Sequence, residues 1–170
     1  MNPLPIFQTF LSIVKEVWER RHHESSKVIS YLDELQLSAD QLVAVWQEAY
    51  TKLVLAAEGQ LPRHQLPEFV NPNFMTEIRA RYESNTPALA GKVDDDFRQT
   101  LLRLLAQLQI TRHLTDEQYQ IARNGLTLAY FSVDQRPGLT NLKCLESAIK
   151  QMKEDAAALR VEISNYKLKL

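Results

Sequence analysis

The stretch that decides the fold is Leu142–Tyr166, LKCLESAIKQMKEDAAALRVEISNY. Its apolar residues are Leu142, Leu145, Ile149, Met152, Ala156, Leu159, Ile163 and Tyr166. They recur at alternating spacings of three and four, a strict 3.5-residue repeat. A helix with that repeat carries one straight apolar seam, as in a coiled coil or an antiparallel bundle. The flanks are mixed charges, among them Lys143, Glu146, Lys150, Lys153, Glu154, Arg160 and Glu162, as the wet side of such a helix requires. The spacing predicts a helix over 141–168, with Leu142, Leu145, Ile149, Met152, Leu159, Ile163 and Tyr166 as candidate interaction residues if the seam is free.

The rest of the 170-residue chain agrees with a helical class. It has four glycines and seven prolines, too few for a turn-rich β-sandwich. Apolar residues make up 45% and charged residues 24%, a globular composition. The expected fold is an all-α bundle of five to six helices in one domain, framed by long helices at the N- and C-terminal ends.

The first of these starts at Asn2-Pro3, a cap followed by proline at the first helical position. Ile6, Phe7, Phe10, Ile13, Val14, Val17 and Trp18 fall on one helical face, and the periodicity resumes with Val28, Tyr31, Leu32 and Leu35. One long helix is predicted over 1–36, with a polar middle at ERRHHESS (19–26). Ser38-x-x-Gln41 reads as a capping box, flanked by Leu37 and Leu42 as a hydrophobic staple, so a second helix is predicted over 38–58, stopping at Gly59. Residues 60–93 hold most of the prolines and read as loop, with Leu61, Leu66, Phe69 and Val70 packed on the body and a short helix from about 72 to Tyr82. Asp94-Asp-Asp96 supplies caps and negative charge for a helix start. Phe97, Leu101, Leu102, Leu104, Leu105 and Leu108 suit a central helix. Thr115-x-x-Gln118, with Leu114 and Tyr119 as staple, reads as another start. Two helices are therefore predicted over 95–133, the second with its apolar positions running through Ile121, Ala122, Leu126, Ala129 and Tyr130. Asp134-Gln-Arg-Pro-Gly138 is a turn signal before the last helix.

Several chemistries find no support. Glu19-x-x-His22 is half of a di-iron ligand pattern, but no second Glu-x-x-His follows. One cysteine, Cys144, cannot build a cysteine-rich zinc site or an internal disulfide. There is no Gly-x-Ser-x-Gly and no phosphate-cradling glycine loop. No catalytic residue, metal, cofactor or small-molecule ligand is expected. Lys and Arg total 20 against 21 Asp and Glu, a net charge of −1, which gives no global field for nucleic acid. Arg20, Arg21, His22 and His23 form a candidate exposed docking patch, although Glu16, Glu19 and Glu24 surround them.

The function expected from these residues is a non-enzymatic protein–protein interaction or regulatory module, self-associating through the C-terminal seam. Its partner is another protein or a second copy, and its compartment the cytoplasm, as the absence of paired cysteines and of a signal peptide suggests. One alternative is a membrane-active or signalling bundle on the general plan of helical cell-death effectors. It would use the amphipathic N-terminal face of Phe7, Phe10, Ile13, Val17 and Trp18. An enzyme with a dispersed site is the second alternative.

Overall fold

The structure is a computed structural model. It describes the backbone of residues 4–66, 93–128 and 136–170, and the side chains of residues 25–66, 93–126 and 140–170. The described residues are all-α: three long helices, one 3-10 turn and no strand. Helix α1 is Leu4–Ala57, α2 is Asp95–Leu128 and α3 is Arg136–Lys167.

Two predicted helix starts are interior positions. The sequence places a boundary at Ser38, yet α1 runs through it without a break. The buried row Val28, Leu32, Leu35, Ala39, Leu42, Trp46, Ala49, Leu53, Ala56 stays in phase across residue 38, and Ser38 itself is buried. Nothing before it ends a helix, since neither Gly nor Pro lies between 6 and 58. Leu37 is half exposed, so the predicted staple to Leu42 does not form. The start predicted at Thr115 fails likewise. Its hydroxyl donates to the Thr111 carbonyl at 2.7 Å, one turn back, and so needs no free backbone N–H to cap. Thus the helices predicted over 1–36 and 38–58 merge, from Leu4 to Ala57, into α1, and the pair predicted over 95–133 is one helix, α2, as far as Leu128; residues 129–133 lie outside the described residues. The described residues hold three α-helices where the sequence reading counts five to six in the whole chain. The short helix predicted from 72 to 82, with Phe69 and Val70, lies outside the described residues.

Other signals are realised. α1 ends in a Schellman motif: Gln60 N–H donates to Leu55 O at 2.8 Å, and Gly59 N–H to Ala56 O at 3.2 Å. Gly59 has φ of 75°, a conformation that glycine reaches without a Cβ clash. Beyond it, Arg63–Gln65 forms the 3-10 turn, Leu66 is buried and Leu61 packs against the core, as predicted. Asp94 caps α2: its Oδ1 accepts from Asp96 N–H at 3.3 Å. α3 begins at Arg136, inside the predicted turn, with Pro137 in the first helical turn, where a missing N–H costs nothing.

The long helices pack around α3. It makes its broadest contact with α2 and a long contact with α1, whereas α1 and α2 touch each other least. The central helix is therefore α3, rather than the leucine-rich stretch of α2. Its seam is the reason. Leu142, Leu145, Ile149, Met152, Ala156, Leu159, Ile163 and Tyr166 are all buried, between 0% and 8% exposed.

Specific pairs set the register. Lys167 bonds Asp33 and Arg160 bonds Asp40, so seven residues forward on α1 are seven back on α3. These ion pairs sit at the surface and add little energy, but they mark α1 and α3 as antiparallel. On the other side Phe97 stacks on Tyr166, with ring centroids 3.7 Å apart and planes at 8°. The Tyr166 hydroxyl also accepts from Asp94 N–H at 3.2 Å. A Cβ on Gly125 would lie 2.9 Å from Asn141 Nδ2, so this glycine lets the start of α3 come close. α2 is thus also antiparallel to α3 and parallel to α1. Trp46 and Tyr119 join α1 to α2, edge to face, at 5.7 Å.

Candidate interaction surface

The buried face of α2 is built from Phe97, Leu101, Leu108, Thr111, Thr115, Tyr119, Ala122 and Leu126. On a helix these positions lie within one stripe, so Ile110, Leu114 and Ile121 fall on the opposite side. The structure places them there: Ile110 is 63% exposed, Leu114 45% and Ile121 42%. Arg103, Ala106, Gln107, His113 and Glu117 are exposed on the same face. The sequence reading missed this surface, having placed Ile121 in one apolar row with Ala122 and Leu126 and Leu114 in a staple. The buried threonines explain the error. Thr111 and Thr115 occupy core positions without looking apolar, and so hide the phase of the helix.

Their burial is paid for by hydrogen bonds. Thr111 Oγ1 donates to Asp155 Oδ2 on α3 and lies 3.1 Å from the Gln107 carbonyl. Gln151 Nε2 donates to Asp155 Oδ1 at 3.1 Å. This polar cluster sits in the α2–α3 interface, where satisfied polar groups favour one register.

A groove of about 350 Å³ opens between α1 and α3. Gln47, Tyr50, Glu146, Ser147, Lys150 and Lys153 line it, over the buried Ile149. The Tyr50 phenol is held above its usual pKa, first by partial burial and then by the charge and hydrogen bond of Glu146. Ser147 Oγ donates to the Lys143 carbonyl at 3.0 Å, which leaves it turned to its own helix. The groove gathers no histidine. His64 and His113 are both exposed and lie on different elements. Cys144 is free and exposed. Among the described residues no group of three or more His, Cys, Asp and Glu is placed to hold a metal ion.

The sites expected from sequence divide as follows. The seam of α3 is brought together, but as core. Its residues reach no partner without opening the bundle, which removes them as a free docking surface. Arg20, Arg21, His22 and His23 lie on the continuous helix α1, and their side chains are outside the described residues. The same holds for Phe7, Phe10, Ile13, Val17 and Trp18. No described helix is long and apolar enough to cross a membrane. No protein-family model, curated protein or solved structure matches the chain.

Proposed function

We propose that this chain is a non-enzymatic protein–protein interaction module that docks through the outward face of α2. One observation supports the reading: Ile110, Leu114 and Ile121 share that face and stay exposed while the α3 seam is used up in the core. Single exposed apolar residues are ordinary. Three on one helical face, spaced i, i+4 and i+11, are the anchor pattern of helix-in-groove and helix–helix recognition. Burying such a side chain fully is worth roughly 1.5–3 kcal/mol, so even partial burial of three gives a partner a usable gain. A reducing cytoplasm suits a module with an exposed free thiol at Cys144.

The test is cross-linking of the tagged chain in extract of its own cells, comparing wild type with Ile110→Glu. The two should show the same circular dichroism and melting. A protein, or a differently tagged second copy, should be recovered with wild type and lost with Ile110→Glu. Identical recovery with both would overturn the reading.

A second reading, a membrane-active N-terminal arm, is favoured by the register of α1. Lys167 stands level with Asp33, so the first 20 or so residues of α1, before the buried row that starts at Val28, lie past the last turn of α3, a length of about 30 Å. Liposome flotation of wild type against Phe10→Glu checks it; no flotation of either chain removes it.

A further inference from the structure

The outward face of α2 has a sequence that complements itself when reversed. Its exposed positions fall symmetrically about Ile110. Ala106 and Leu114 lie four residues to either side, Arg103 and Glu117 seven, Gln99 and Ile121 eleven. Resting on the interaction reading above, we propose that this face binds the same face of a second copy of this chain. The two α2 helices run antiparallel about a two-fold axis at Ile110.

In that register Ile110 meets Ile110 of the other copy, and Ala106 of each helix meets Leu114 of the other. A small residue opposite a large one lets the helices approach closely. Arg103 of each copy faces Glu117 of the other, giving two opposite-charge pairs at the edges of the apolar centre. Both side chains are exposed, and among the described residues neither has an ion-pair partner within its own chain. Charge selects the orientation. A parallel pair would set Arg103 against Arg103 and Glu117 against Glu117, and like charges placed so disfavour a partner. Charge also selects the register: a shift of four residues would lay Arg103 on Ile121 and leave Glu117 opposite Gln107. Antiparallel packing sets the helix dipoles against each other favourably as well. The two-fold makes the contact isologous, so it closes at two chains and does not propagate. Three large apolar residues per copy make a modest centre, so the dimer should be concentration-dependent.

The experiment uses the full chain and sedimentation with light scattering across a concentration series. Wild type should pass from one chain to two. Arg103→Glu alone and Glu117→Arg alone each create like-charge pairs, and each should dimerise at least about tenfold more weakly. Mixed together, they form a pair in which every Glu faces an Arg, and the mixture should recover to within about threefold of wild type. Ile110→Cys in a Cys144→Ser background should form an interchain disulfide under mild oxidation. Circular dichroism on each variant reports the fold independently. A wild type that stays monomeric at high concentration, or a mixture no tighter than its separate components, would overturn the proposal. If wild type is monomeric but Ile110→Glu still loses a cross-linked protein in extract, the second copy is the wrong occupant and the interaction reading stands. If no protein is lost either, both fall.

Discussion

Thr111 carries one hydroxyl proton and has two acceptors within reach, the Gln107 carbonyl and the buried Asp155 carboxylate. Valine fills nearly the same space without the donor. Thr111→Val leaves Asp155 in the interface with the Gln151 amide as its remaining partner among the described bonds. The expected cost is about 1–3 kcal/mol, read from urea unfolding midpoints at constant slope. Tyr119 makes a second prediction. It has no exposed surface, and burial pushes its phenol up to about 12 from the ordinary value of 10, with the Arg123 charge opposing. Below the ordinary value both folded and unfolded chains keep the proton, and stability does not change with this group. Between there and about 12 the unfolded chain loses it and the folded chain keeps it. Stability must therefore fall as pH rises through that window. Tyr119→Phe should melt with a flatter dependence on alkaline pH. Tyr50, shifted in the same direction, leaves a residual slope in both proteins.

At the scale of the helix, the strongest prediction concerns Ser38. Were it a true cap, Ala39 would be the first helical residue, where proline is well tolerated. In the continuous α1, proline at 39 removes an interior hydrogen bond and clashes with the preceding turn. Ala39→Pro should lower stability by about 3 kcal/mol or more, measured by thermal or denaturant unfolding. Near-wild-type stability would put the helix start back at Ser38. The contrast with Gly59 shows what was legible. A glycine with positive φ is needed to end a helix in a Schellman motif, so that stop could be read from sequence. Ser-x-x-Gln and Thr-x-x-Gln are different, because both fit a helix interior once the hydroxyl can bond backwards, as Thr115 does. A start signal without a stop before it does not divide a helix. The α3 seam was legible down to each residue, because a 3.5 repeat admits one face. Whether that face met its own chain or another was not legible, since core and interface ask for the same side chains. The α2 surface was hidden for the converse reason: Ile121 looks like core, and only the phase set by Thr111, Thr115 and Tyr119 turns it outward.

For the molecule as a whole, α3 is the element on which the others depend. α1 and α2 share only a thin contact of their own, and each lays its apolar row against α3. A chain cut after Thr140 keeps α1 and α2 but lacks the seam that joins them. It should lose cooperative thermal unfolding, checked by circular dichroism and calorimetry, while retaining some local helix. The pairs that fix α1 against α3 span 120 and 134 residues of sequence, so the bundle closes late. This order has a consequence during synthesis. The ribosome finishes α1 roughly a hundred residues before it finishes α3, an interval on the order of ten seconds. Through that interval the row from Val28 to Ala56 has no mate from α3. The nascent chain is then a long, sticky amphipathic rod, and its safe delivery depends on whatever holds that row until translation ends.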